Sequence, residues 1–248
     1  MPISIKNADQ LNKMRLAGKV VARALEILSQ ELRPGVTTRE LDKIAEEYIL
    51  SRGAKPNFKG YGGFPAAACI SVNDEVIHGI PGLKKVKAGD IVSIDLGAVL
   101  NGYHADAART FAVGGVSQAA ARLIAVTERS FLEGVAFARA GQHLNFISGA
   151  IEDYVVGNGF AVVRKFVGHG IGASLHEEPQ IPNYRVSGRG PKLQAGMTLA
   201  VEPMVNEGVC DVVVLQDGWT VVTADGKLSA HYENTLVITD SEPELLTI

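Results

Sequence analysis

The sequence is short of the features that mark a specialised environment. Its 248 residues hold two cysteines, Cys69 and Cys210. Two cysteines make no disulfide framework, and no C-x-x-C pair is present. No uninterrupted apolar run approaches the ~20 residues of a membrane span. The opening stretch MPISIKNADQLNK lacks the apolar core of a secretory signal. Excess charge of one sign is missing too: the net charge is -3, which leaves no electrostatic footprint for DNA or RNA. These absences make a reducing, cytoplasmic setting the expectation. What is present, 46% apolar and 21% charged residues, describes an ordinary globular protein. The length suits one large domain or two small ones.

The most informative stretch is Ile91 to Val113, IVSIDLGAVLNGYHADAARTFAV. Asn101-Gly102 lies between two apolar-rich runs, and Asn-Gly is the strongest short-range signal for a two-residue hairpin loop. With those residues as the loop, Asp95 faces Ala108. Side chains alternate along a strand, so Asp95 and Asp106 share a face as diagonal neighbours, roughly 7–8 Å apart. The other face reads Val92, Ile94, Leu96 and Ala98 against Tyr103, Ala105, Ala107 and Phe111, a core face interrupted by Arg109. Two acids on one face repel unless something positive lies between them. On the hairpin alone, a metal and a solvated polar face both remain open.

Along the chain, apolar positions from about Asn7 to Leu32 recur at helical spacing and end at Arg33-Pro34-Gly35. Thr37 and Glu40 form a capping box for a second helix, with Gly53 suited to follow its end. Pro56 to Pro65 is loop chemistry carrying Phe58, Tyr61 and Phe64, either a minor core or a binding wall. Ala66–Val76 reads as a strand. Helices are expected over Ser117–Arg139 and Leu144–Val156, and a strand over Phe160–Val167. Met197–Val205 and the final stretch Ser229–Thr239 read as strands carrying Glu202 and Glu233 inside them.

A shift of 106 residues places Arg33 and Gly35 on Arg139 and Gly141, Glu46 on Glu152, Tyr48 on Tyr154 and Gly53 on Gly159. The pattern of helix, stop, helix, glycine, strands thus occurs twice. It predicts one domain over 1–248 built from two related halves, about 1–113 and 114–248, facing each other across a cleft. The second half offers His169 and His176 within a Gly-rich segment, and the two glutamates. Carboxylates are rarely buried unless paired. Asp95, Asp106, Glu202, Glu233 and His169 together form an oxygen and nitrogen set suited to hard or borderline divalent metals. Two such ions would balance four carboxylates, and a metal pair can activate water for hydrolysis.

The sequence resembles the type I methionine aminopeptidases, which remove initiator methionine. The matching motifs run in order over nearly the whole chain: Ser71-Val72-Asn73-Asp74, His78-Gly79-Ile80-Pro81, the Asp95/Asp106 hairpin, Gly168-His169-Gly170-Ile171-Gly172, His176-Glu177-Glu178-Pro179, Val201-Glu202-Pro203-Met204 and Tyr232-Glu233. The resemblance implies an α/β (α+β) pita-bread fold, a pseudo-two-fold sandwich with a curved antiparallel sheet covered by helices. It implies two divalent metal ions (cobalt, manganese, iron or zinc). Asp95 would hold one ion, Asp106 and Glu233 would bridge both, and His169 and Glu202 would bind the other. Glu202 would also serve as general base on the attacking water, His176 would contact the scissile carbonyl, and His78 would bond the amide side. Phe58, Tyr61, Phe64, Cys69 and Trp219 would wall the methionine pocket, and a small second pocket would require a small following residue.

The same resemblance implies a monomer acting on N-terminal methionyl peptides and nascent chains, with transient ribosome contact and without membrane or specific nucleic-acid binding. Phe58, Leu175 and His231 depart from the commoner residues of bacterial relatives, which bears on pocket shape and not on the reaction. No N-terminal zinc-binding extension is expected, and Met1-Pro2 itself fits the substrate pattern. Two other readings are a proline-directed aminopeptidase or prolidase of the same fold, and a non-catalytic peptide-binding member. The first usually carries a large extra N-terminal domain, and the second loses metal ligands that are all present here.

Overall fold

The computed structural model describes residues 2–248; the expectation about Met1 lies outside the described residues. Helix α1, Ala8–Glu31, starts where the Asn7 side chain accepts the Gln10 N–H and Gln10 returns the bond. Helix α2, Thr38–Ser51, carries the expected capping box of Thr37 and Glu40. Beyond it the chain turns away at Gly53, with φ +71°. Helix α3, Gln118–Val135, is capped by Ser117, and helix α4 covers Leu144–Gly157. The bounds of α4 follow those of α2 by the 106 residues of the repeat at both ends: 144 against 38, and 157 against 51.

The Asn-Gly hairpin forms as the sequence predicts. Strands Ile91–Leu100 and Tyr103–Ala112 pair with Leu100 opposite Tyr103 and Asp95 opposite Ala108. Asn101 and Gly102 adopt φ of 53° and 78°, the left-handed pair that a type I′ turn requires. Val92, Ile94, Leu96, Ala98, Ala105 and Ala107 are buried against α1 and α2, through residues such as Val21, Leu28, Leu41 and Ile49. Each large apolar side chain so buried contributes roughly 1.5–3 kcal/mol. The opposite face carries the two aspartates. A second core under α3 and α4 gathers Leu123, Phe131, Ile147, Ile151 and Leu199.

Three expected strands are broken in two, and a fourth is cut short. Ala66–Val76 is two strands, Ala68–Val72 and Glu75–Ile77, because Asn73 takes a left-handed φ of 60° and turns the chain. Of Phe160–Val167 only Ala161–Val162 is paired. The run around Glu202 is Thr198–Val201 and Met204–Asn206, interrupted at Glu202-Pro203, where proline has no N–H for a ladder. The run around Glu233 is Ser229–His231 and Asn234–Val237, interrupted at Tyr232-Glu233, and it is followed by one more short strand, Glu244–Leu245. Pairing among the described residues is antiparallel within sheets of four, three, three and five strands. Among the described residues no helix is long and apolar enough to cross a membrane.

Candidate metal centre

The strand breaks build the site. Val201 pairs with Asn234 in one sheet, and Met204 pairs with His231 in another. One register runs through both pairings, so Glu202 lies opposite Glu233 at the seam. The seam is stitched to the hairpin of the first half at every second residue. Thr110 Oγ1 accepts the His231 N–H at 2.8 Å and lies 2.9 Å from the His231 carbonyl oxygen. The Glu233 N–H donates to the Ala108 carbonyl at 2.9 Å. Thr235 Oγ1 accepts the Asp106 N–H at 3.0 Å and lies 2.9 Å from the Asp106 carbonyl oxygen. Two threonine hydroxyls thus stand in for ladder bonds and bring acids from both halves together.

His169 enters from the strand Gly168–Gly170, opposite Ala200. Its flanking glycines are needed for close approach. A Cβ at Gly168 would lie 2.4 Å from the Ala200 carbonyl oxygen, and one at Gly170 would lie 2.1 Å from that of Glu178. His169 Nδ1 is 2.8 Å from the Gly170 carbonyl oxygen. A carbonyl only accepts, so Nδ1 carries the proton and Nε2 keeps its lone pair. Nε2 lies 3.7 Å from Asp106 Oδ2 and 3.6 Å from Glu202 Oε1. Ligand atoms of Asp106, His169 and Glu233 all fall within 4.8 Å of one another.

All five expected ligands line one cavity of about 200 Å³, together with His78 and His176. The same cavity is walled by Phe58, Tyr61, Phe64, Cys69, Leu175 and Trp219, and Phe64, Ala66 and Cys69 with Phe58 and Trp219 also form a small core, so the aromatic loop is both wall and minor core. Phe64 meets Trp219 edge-on with ring centroids 5.1 Å apart, and His78 stands edge-on to Trp219 at 6.3 Å. His176 Nδ1 is 2.6 Å from the Tyr61 hydroxyl.

Burial, then mutual repulsion, sets the electrostatics of the acids. Burial and the Asp106 charge raise Asp95 well above the usual carboxylate range. Burial and neighbouring carboxylates do the same to Glu202 and Glu233. Burial pushes Asp106 up to about 7, opposed by His176 and the Thr235 bond. Burial lowers His78, His169 and His176 to about 4, so all three are neutral near pH 7.

The donor set fits a divalent metal. Asp95 Oδ1 is buried without a hydrogen-bond partner, an arrangement that costs roughly 1–3 kcal/mol or more unless a cation meets it. Four carboxylates that burial and repulsion force toward protonation regain their charge beside such a cation. Oxygen and imidazole donors suit hard and borderline ions.

His231 departs from its expected bearing on pocket shape. It is buried behind Glu202, with Nε2 3.8 Å from Glu202 Oε2 and neither ring nitrogen hydrogen-bonded. It lines a separate cavity with Arg109, Thr110 and Glu128, not the aromatic wall. Thr110 and Thr235 carry no signal in the sequence, whereas Arg109 stands out there only as an interruption of the apolar face. Arg109 donates to the Glu233 carbonyl and to Asn234 Oδ1, which explains its place on an apolar face.

The model of metallopeptidase family M24 matches residues 12–240. The chain is 58% identical over 246 residues to a methionine aminopeptidase of Clostridium perfringens, covering 99% of both. It is 51% identical over 245 residues to methionine aminopeptidase 1 of Bacillus subtilis, again covering 99% of both. The crystal structure of a methionine aminopeptidase from Thermotoga maritima superposes with a TM-score of 0.97 at 46% identity, covering 99% of each chain.

Proposed function

This chain belongs to metallopeptidase family M24, and on that premise we propose that it is a methionine aminopeptidase of pita-bread fold. It hydrolyses the first peptide bond of chains that begin with methionine followed by a small residue. The observation that carries the reading is one cavity that joins four carboxylates and a lone-pair imidazole to an aromatic wall. Aromatic edges and faces around a polarizable thioether favour methionine, which ranks this reading above a proline-directed one. The intact set of five ligands ranks it above a non-catalytic binder.

The protein binds divalent metal, and Asp95, Asp106, His169, Glu202 and Glu233 would hold two ions, with Asp106 and Glu233 serving both. When bound, the ions supply positive charge that acidifies water and polarises a carbonyl. Glu202 takes the proton of the attacking water on a carboxylate oxygen and passes it toward the leaving amine. His176 donates an N–H to the scissile carbonyl oxygen as negative charge grows there. His78, held against Trp219 and Phe166 with a φ of 58°, hydrogen-bonds the amide side of the substrate. Phe58, Tyr61, Phe64, Cys69 and Trp219 hold the methionine side chain and exclude water.

We further read residues 1–248 as one catalytic domain of two related halves, acting as a monomer on nascent chains that it meets transiently at the ribosome. Two unpaired cysteines support a reducing, cytoplasmic setting. The test is release of free methionine from Met-Gly and Met-Ala peptides by protein loaded in turn with cobalt, manganese, iron or zinc. Turnover of Xaa-Pro peptides without turnover of Met-Gly peptides would reject the reading.

A further inference from the structure

Two imidazoles stand side by side in the cavity, with the His169 and His176 ring centroids 4.2 Å apart, and each has its Nδ1 facing a different kind of partner. A neutral imidazole has one nitrogen that donates and one that accepts. His169 Nδ1 faces a carbonyl oxygen at 2.8 Å and must donate, which leaves a lone pair on Nε2 for a cation. His176 Nδ1 faces the Tyr61 hydroxyl at 2.6 Å. Against a neutral imidazole a phenolic O–H is the better proton donor and the ring nitrogen the better acceptor, so the hydroxyl donates and Nδ1 accepts. Nε2 of His176 then carries the ring's one N–H.

The geometry of the Tyr61 segment fits this duty. Tyr61 lies between Gly60 and Gly62, with φ of 85° and 55°. The turn is closed by its own backbone, Tyr61 N–H to the Phe58 carbonyl at 2.9 Å and Gly60 N–H to the Phe64 carbonyl at 2.8 Å. A Cβ at Gly62 would come 3.3 Å from Trp219 Cη2, so the turn is also seated on the pocket wall. Tyr61 is 47% exposed, and a pocket wall alone has no need of its hydroxyl.

We propose that the Tyr61 hydroxyl is a positioning group that fixes His176 as the Nε2–H tautomer, so that the ring presents a donor to the scissile carbonyl while His169 presents a lone pair to metal. The inference rests on the aminopeptidase reading for its consequence, but the tautomer can be read without turnover. Tyr61→Phe removes the hydroxyl and keeps the ring. In long-range nitrogen–proton NMR spectra of the zinc-loaded full chain, wild-type His176 will show one tautomer with its proton on Nε2, and Tyr61→Phe will show a mixture. With Met-Gly peptides, kcat will fall about tenfold, about 1.4 kcal/mol, while KM stays within about twofold because the wall is intact. Tyr61→Leu, which removes the wall as well, will raise KM in addition. A proton on Nδ1 in the wild type overturns the proposal. So does a Tyr61→Phe enzyme with unchanged tautomer, unchanged kcat, or a change confined to KM. If the wild type releases no methionine at all, the aminopeptidase reading fails, and the spectrum still reports the tautomer.

Discussion

Glu202 and Glu233 face each other across a break shared by two strand pairs, where the chain passes from one sheet to another. A carboxylate in the middle of a regular strand would have its direction set by the pleat. At a break the backbone is freed from the ladder, and both glutamates turn into the same cavity. Pro203 maintains the break on one strand, and the Glu233 N–H maintains it on the other by bonding Ala108 instead of a sheet partner.

The two glutamates are therefore neighbours with separable duties. Glu202→Gln keeps size and a donor oxygen but loses the base, so kcat should fall by about 10²–10⁴-fold with metal stoichiometry largely kept. Glu233→Gln removes a shared ligand and should lower metal stoichiometry as well as kcat. Metal content by elemental analysis beside steady-state kinetics separates them. Equal metal loss in both variants would count against a distinct base.

Asp106 and Asp95 differ in the same way. Asp106 belongs to the tight group with His169 and Glu233, while Asp95 does not. Asp106→Ala should abolish turnover and release both ions, whereas Asp95→Ala should keep one tightly held ion. Calorimetric titration with manganese measures the difference. Normal cleavage by Asp106→Ala would defeat the two-ion account.

Much of this centre is legible in the sequence because local chemistry dictates it. Asn101-Gly102 fixes the hairpin register, and the register alone puts Asp95 and Asp106 on one face. The capping box at Thr37 and Glu40 likewise sets the start of α2. What escapes is long-range or depends on interruption. Nothing near Glu233 in sequence says that its N–H will leave the sheet for Ala108. Thr110 and Thr235 act through partners 121 and 129 residues away. The stretch containing Glu202 reads as continuous because its apolar residues outweigh one proline, although the strand breaks at Glu202-Pro203.

The buried acids make metal-free stability depend on pH in a definite sense. A carboxyl whose folded pKa is raised holds a proton that the unfolded chain has released, so its contribution is lost as pH rises toward the folded value. Asp106 at about 7, with Asp95, Glu202 and Glu233 raised well above their usual range, all act this way. The histidines, lowered to about 4 or, for His231, about 3, oppose this only below their unfolded value of 6.5. Between pH 6.5 and 8 the metal-free protein should lose stability, by about 1.4 kcal/mol per pH unit for each proton still differentially held. Saturating zinc should flatten or reverse the slope. Urea melts at several pH values measure it, and a metal-free protein that gains stability over this window would contradict the assignment.

A buried ion pair outside the cavity holds the segment that carries His176. Lys6 Nζ lies 2.6 Å from Glu177 Oε2, with side chains only 2% and 13% exposed. The other Glu177 oxygen accepts the Ser174 N–H at 3.1 Å, and the Lys6 N–H bonds the Gly196 carbonyl at 2.8 Å. The pair thus ties the segment before α1 to the turn immediately preceding His176. A Cβ at Gly172 would sit 2.4 Å from Lys6 Cε, which shows how closely the lysine stem crosses that turn. Removing one partner of such a pair leaves an uncompensated buried charge, so Lys6→Met should cost roughly 3–5 kcal/mol. Lys6→Met with Glu177→Leu removes both charges and should recover most of that stability. It should not recover kcat, because the Ser174 N–H has lost its acceptor and the His176 turn its anchor. Denaturant melts of the two singles and the double give the coupling energy. Stability restored together with full activity would mean that the pair only balances charge and does not hold His176 in place.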